Sequence, residues 1–332
     1  MRGEGESWPF VASADESSGR VLDLRSLNET EAGESGYVRL SDSGSGFVLG
    51  NGKPVRFWGV SCGESGPQLE AVADWLARIG VNLVRICSSP ESYATVSPKA
   101  ATARIDEVDT GAIEKAWRMV AALKRRGIYT LLTPYWVAKG SDVSRWGIDG
   151  YTGVSGGRDG LWGLMFFNRR LQAAYRCWLR ELLAADNPHT GLPLAEDPAV
   201  AMILLQNEDS LYWWTVDRMG EAQRKILEEQ FTAWVEARYG SVDRACREWG
   251  RARPDGDDPA GGRLGLYPLR EATRAQSGGK RRRLVDQMAF WGETMRRFNA
   301  ETRDYLRGDL GCRQLLIAEN WKTASPARLL DA

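Results

Sequence analysis

The stretch Ala199-Val200-Ala201-Met202-Ile203-Leu204-Leu205-Gln206-Asn207-Glu208-Asp209 passes without a break from seven apolar residues into four polar ones. The run follows a helix from about Arg169 to Ala185 and the turn near His189. A continuously apolar run of this length predicts a strand buried on both faces, which is how strands of a parallel sheet read. Its polar end, Gln206 to Asp209, then lies where a parallel sheet presents its strand ends.

Working outward, the same unit recurs: an amphipathic helix, a residue that ends it, then a short run of β-branched or leucine residues. Leu69, Val72, Leu76 and Ile79 fall at helical spacing, Gly80 suits a left-handed cap, and Val81 to Ile86 is the strand. Ile113, Trp117, Val120 and Leu123 line a second helix, Gly127 stops it, and Ile128 to Leu132 follows. A third helix, about Arg169 to Ala185, precedes the turn at Asn187-Pro188-His189-Thr190-Gly191 and the Ala199 strand. A fourth, about Leu284 to Leu306, precedes Gln314 to Ala318. With Phe57 to Ser61 in front, the pattern predicts five parallel strands separated by helices. A doubly wound sheet and a (β/α)8 barrel both satisfy it. Neither G-x-G-x-x-G nor G-x-x-x-x-G-K-[ST] follows the first strand, so the nucleotide-binding version is disfavoured. The expected fold is α/β, an incomplete TIM-type barrel of about five units.

Residues 1–36 show no sustained period and read as an irregular lead-in, with the barrel domain over 37–332. Short alternating runs at 36–40 and 46–49, then Asn51-Gly52, predict a β-hairpin before the first barrel strand. A helical insertion is expected at about 212–283: a helix over 217–239, a short capped helix from Ser241 to Trp249, and a Gly, Pro and Asp-rich loop. The loop closes on Lys280-Arg281-Arg282-Arg283, which reads as a solvated helix entry.

Bulk composition narrows the chemistry. Lys plus Arg (44) equal Asp plus Glu (44), so no strong field is available for a nucleic acid or an anionic membrane. No run approaches the roughly 18 apolar residues of a membrane span, and MRGEGESWPF lacks the apolar core of a secretory signal. Cys62, Cys87, Cys177, Cys246 and Cys312 contain no C-x-x-C pair and read as buried free thiols. A single histidine, His189, excludes His-rich metal sites and sits in a turn. No metal or cofactor is expected. The 14 tryptophans exceed the usual share, and indole faces pack on the C–H faces of sugars as readily as on a core.

In a parallel barrel the active site gathers at the C-terminal ends of the strands. There the sequence offers Trp58 to Cys62, Arg85, Pro134-Tyr135-Trp136, Gln206-Asn207-Glu208-Asp209 and Glu319-Asn320-Trp321. One arginine, carboxylates, amides and aromatic rings on one rim suit a neutral polyhydroxylated ligand. Glu208 alone could also be a solvated acid capping the next helix.

Several of these pieces together resemble the clan A glycoside hydrolases, the cellulase-like superfamily that includes family 5. They are Phe57-Trp58-Gly59-Val60 after Asn51-Gly52-Lys53-Pro54, the piece Leu76 to Arg85, and above all Asn207-Glu208 after the fourth strand. Asn187 to Gly191, Asp197-Pro198-Ala199-Val200, Tyr239-Gly240-Ser241 and Trp249-Gly250 look like that clan's β-galactosidase-like branch. The resemblance covers about residue 37 onward. It implies a retaining hydrolase of β-linked sugars in which Glu208 is the general acid/base and Asn207 bonds the sugar 2-hydroxyl. Arg85 matches the arginine that orients the nucleophile. Trp58, Tyr135, Trp136, Glu319, Asn320 and Trp321 would bind an oligo- or polysaccharide, with Tyr135 and Trp136 standing where many members have a histidine.

The clan carries its nucleophile on strand seven, so the expectation is a fragment whose nucleophile lies on a later strand, silent by itself. The family's habit implies secretion, though the chain shows no signal. A non-catalytic carbohydrate-binding barrel is the alternative.

Overall fold

The computed structural model describes residues 23–86, 104–135, 141–155, 160–214 and 216–320. Five strands form one parallel sheet: β1 (Gly59–Cys62), β2 (Leu83–Ile86), β3 (Tyr129–Leu132), β4 (Val200–Gln206) and β5 (Leu315–Glu319). Their order in space is their order in the chain, each hydrogen-bonded to the one before. A doubly wound sheet reverses direction at a switch point, and these strands contain none.

The faces of the sheet agree. Val84, Ile86, Leu132, Ile203 and Leu205 pack with helices α1 (Leu69–Arg78), α2 (Thr110–Lys124) and α3 (Arg169–Leu183) in one large core. Leu83 and Tyr129, with Ala201 and Met202 at a register shift in β4, join a second core with Val38, Leu49 and Phe57 and with no helix. Helices on a single face, with strands added in sequence, define a barrel-type α/β fold of which five units are present.

Local chemistry explains the elements. The Asp109 carboxylate accepts from the backbone N–H of Gly111 and Ala112 at the start of α2, and Asn168 Oδ1 from Leu171 N–H at the start of α3. Gly127 ends the second unit at φ 68°, and a Cβ there would lie 1.8 Å from the Glu29 carbonyl oxygen, so only glycine fits. That approach is part of how the lead-in docks. Leu24 N–H donates to Arg78 O, Ala32 N–H to Lys124 O, and Tyr129 Oη to the Glu29 carboxylate. The expected hairpin is a three-stranded antiparallel sheet of Arg39–Leu40, Phe47–Val48 and Pro54–Val55. The loop 41–46 folds back and adds a turn that the alternation did not mark.

Between β4 and β5 come α4 (Glu221–Tyr239), α5 (Val242–Glu248), the short α6 (Leu269–Ala272) and the long α7 (Gly278–Asp304). Here one expectation is corrected: Arg283, in the run read as solvated, is 0% exposed. It donates from Nη1 and Nη2 to the Asp257 carboxylate at 2.9 and 2.5 Å, and its guanidinium lies 4.8 Å from the Trp249 ring centroid. Three residues after Lys280, it falls on the buried side of α7, and the acid that neutralises it comes from the loop 26 residues earlier.

Candidate functional site

Strand alternation brings the first members together. Arg85 stands two residues beyond the inner-face Leu83, and Thr133 two beyond Leu131. Since β2 and β3 pair with Arg85 opposite Leu131, the guanidinium reaches across, and Arg85 Nε donates to Thr133 Oγ1 at 3.1 Å. Its Nη2 donates to Asn207 Oδ1, just past the end of β4. Asn320, just past β5, donates from Nδ2 to the same Asn207 oxygen at 3.0 Å, and Asn320 Oδ1 accepts the Glu208 backbone N–H at 2.8 Å.

The polarity of this chain is fixed by its ends. Arginine and a backbone N–H only donate, so both amide oxygens are assigned, and the Asn207 NH2 is left directed away from the network. Glu208 itself is half-buried and has φ 49°, one of two non-glycine residues in the left-handed region among the described residues. Such a conformation costs about 1–2 kcal/mol and persists only where neighbours impose it. Here the neighbours are Asn320 on its N–H and, one residue earlier, the Asn207 N–H bonded to Tyr135 O at 3.3 Å.

Behind Glu208 lies a second group. Asp209 is 1% exposed and accepts from Gly163 N–H (2.7 Å), Ser210 N–H (2.9 Å) and Gln206 Nε2 (3.4 Å). Glu319, the register partner of Gln206, is 9% exposed. Burial, and next the nearby Asp209 charge, push its carboxyl up to about 8, with the Ser210 hydroxyl pulling the other way. Glu319 therefore keeps its proton to higher pH than an ordinary carboxyl.

Other expected residues fall differently. Tyr135 is 1% exposed, its ring stacked on Trp178 (5.6 Å, 29°) and tilted on Tyr175 (5.8 Å), so it is a core residue with no face for a sugar. The strand ends at Leu132, and three residues later the ring lies against Tyr175 and Trp178 of α3. Trp58 is exposed (60%) but precedes β1. Asn82 accepts its N–H at 2.8 Å and starts the pairing one residue later, so Trp58 stands at the N-terminal end of the strand. Trp136 and Trp321 lie outside the described residues, as does Cys87. His189 keeps its turn and meets Glu114 Oε1 at 2.6 Å.

The indoles that do flank the strand ends are ones that were not singled out. Trp213 and Trp214 follow Glu208 in the same loop, and Trp214 packs on Trp162 at 5.1 Å with the Arg218 guanidinium 4.0 Å over it. Gly163, next to Trp162, is the residue bonded to Asp209. The adjacent Trp213-Trp214 pair, five residues past Glu208, was the available signal. A cavity of about 520 Å³ in the insertion, lined in part by Arg224, Arg253, Asp255, Glu271 and Lys280, shares no residue with the strand-end cluster. Among the described residues no group of three or more His, Cys, Asp or Glu could hold a metal ion, and no helix is long and apolar enough to cross a membrane.

The fold and strand ends together define a barrel-type α/β protein with a carboxylate, two amides and an arginine joined on one rim. No protein-family profile matches the chain, and no curated protein sequence does. Solved structures do. The endo-β-1,4-mannanase from Thermotoga petrophila is 16% identical over 56% of this chain and 41% of its own, with a TM-score of 0.32. The endo-1,4-β-mannanase from Rhizomucor miehei is 12% identical over 89% and 96%, with a TM-score of 0.38. A glycoside hydrolase family 5 mannosidase from Rhizomucor miehei is 13% identical over 83% and 71%, with a TM-score of 0.36. The chain thus spans under half the length of the Thermotoga enzyme. Function at such distances has to be argued from the site itself.

Proposed function

We propose that this chain carries the acid/base half of a retaining glycoside hydrolase acting on β-linked sugars of an oligo- or polysaccharide. The observation that supports it best is the ordered chain Arg85 to Asn207, Asn320 to Asn207, and Glu208 N–H to Asn320. It spans the ends of β2, β4 and β5 and holds Glu208 in a left-handed conformation at the rim where parallel barrels do chemistry. A carboxyl fixed in this way can protonate a leaving glycosidic oxygen and then accept a proton from the attacking water. The NH2 of Asn207, left over from the network, is a donor for a sugar hydroxyl, as the 2-hydroxyl role requires. Trp162, Trp213 and Trp214 supply apolar faces beside it.

Retention of configuration needs a second carboxylate about 5–5.5 Å from the first, ionised at working pH. Glu319, buried and with its carboxyl pushed up to about 8, is poorly suited to that role, and Asp209 is enclosed by its own donors. In this mechanism the nucleophile comes from outside the described residues.

Glu208→Gln tests the assignment. In a protein that turns over aryl β-glycosides, turnover should fall by about 10²–10⁴-fold while sugar affinity stays within a few-fold. Unchanged turnover overturns the role of Glu208. Affinity without turnover in either form identifies a carbohydrate-binding barrel instead.

A further inference from the structure

Gln206 and Glu319 occupy matching register positions on β4 and β5, so their side chains are cross-strand neighbours. Gln206 is 0% exposed. Its Nε2 is used on Asp209, while its Oε1 is buried with no hydrogen bond. Both carboxyl oxygens of Glu319 are likewise buried with none. The Ser210 hydroxyl is the donor beside Glu319, so three buried acceptor atoms on two neighbouring residues face one hydroxyl, a costly shortage for buried polar groups. An ionised Glu319 would leave Gln206 Oε1 unmet and add a charge. A proton on Glu319 turns one carboxyl oxygen into a donor for that amide oxygen.

We propose that Glu319 is a positioning residue that keeps its proton and donates it to Gln206 Oε1, clamping the end of β5 to the end of β4. Asn320, the next residue, is what holds the Glu208 N–H and the Asn207 amide, so the clamp sets the geometry of the reacting carboxyl. This rests on the function proposed above only in taking Glu208 as that carboxyl.

The groups facing Glu319 favour the same state. From the turn after β4 comes Asp209, an anion that opposes a second negative charge, and Ser210, whose hydroxyl is the one group pulling toward ionisation. The 160–163 loop contributes the Gly163 N–H, directed to Asp209, and α7 contributes Met295, against Ser210. When the proton leaves to solvent at alkaline pH, two buried carboxylates adjoin and the β5 end is repelled from the Glu208 turn. The device is therefore closed at neutral pH and open above it.

Two measurements on the full protein decide the matter. With carboxyl-¹³C glutamate, one glutamate resonance should titrate with an alkaline midpoint, within about one pH unit of 8, and Glu319→Gln should remove it. If every glutamate carboxyl has titrated by pH 6, the proposal is wrong whatever the protein's activity. Should the variant fold poorly, the wild-type titration still decides. Separately, the alkaline limb of aryl β-glycoside turnover in wild type should carry a break at the midpoint of that resonance, beyond the one set by Glu208, and Glu319→Gln should remove this break. An alkaline limb unchanged by the substitution rejects the positioning role. An alkaline resonance without turnover leaves the proton in place and removes the proposed hydrolase activity.

Discussion

The backbone N–H of Glu208 donates to the side-chain oxygen of Asn320, 112 residues away in the chain, at 2.8 Å. One strand end is thereby held in a strained conformation by the next. Asn320 also turns its NH2 to Asn207, so a single amide orients both residues of the Asn-Glu pair.

Replacing Asn320 by Ala should accordingly be felt at the reaction more than in the fold. The residue is exposed, so its loss costs about 1 kcal/mol of stability. A displacement of Glu208 by an ångström, however, lowers turnover by about 100-fold. Unfolding midpoints together with kcat in the full-length protein check this, and equal kcat with and without the amide would contradict it.

Strain at Glu208 makes an opposite pair of effects expected from Glu208→Gly. Glycine adopts φ 49° without the Cβ penalty, so the variant should be more stable by about 1 kcal/mol while losing all turnover. Chemical denaturation measures the first and a glycoside assay the second. A less stable glycine variant would mean that the Glu208 side chain contributes packing that outweighs its backbone cost.

The insertion should depend on one buried ion pair. Asp257 is 2% exposed and Arg283 0%, so Asp257→Ala leaves a buried guanidinium without its counter-charge. A loss of about 3–5 kcal/mol is expected. Asp286, on α7 like Arg283, accepts from Tyr239 Oη at the end of α4 and from Trp249 Nε1 just past α5, and keeps α7 joined to both. Urea denaturation of the variant should therefore show the insertion weakened, and protease cleavage should appear first in residues 251–268.

Stability should also decline with pH. The Glu319 carboxyl titrates near 4.5 when unperturbed and at about 8 in the folded chain, because burial and then Asp209 disfavour its charge. Between those values the folded chain binds a proton that the unfolded chain releases. Its contribution is thus full below about 4.5 and is lost as pH rises through about 8. Thermal midpoints from pH 5 to 9 should fall more steeply in wild type than in Glu319→Gln. Parallel curves would exclude Glu319 as the source.

Much of this molecule was written locally. Strands β2 to β4 are largely apolar runs whose buried faces need no knowledge of the neighbours, and Gly80 and Gly127 mark where helices stop because the left-handed backbone there favours glycine. Asn207-Glu208 at the end of the fourth run, and Arg85 at the end of the second, were legible for the same reason. Side-chain direction beyond a strand end was not. Tyr135 packs into the core on Trp178, Asn82 sets β1 to begin after Trp58, and α7 turns Arg283 inward to an acid of a distant loop. Those outcomes depend on atoms far away in the chain, and residue type gives no hint of them.

The order of the strands belongs to the second class as well, since helix-strand alternation is the same in a doubly wound sheet and in a barrel. Only the packed chain, with its helices on one face and each strand beside its predecessor, separates the two. The sequence by itself determined which segments are strands and which residues stand at their ends, because burial pattern and backbone preference act over a few residues. The tertiary structure alone decided that Asn320 reaches Glu208 and that Gln206 and Glu319 stand opposite each other on neighbouring strands, because hydrogen bonds and charge act through space between residues that the chain keeps far apart.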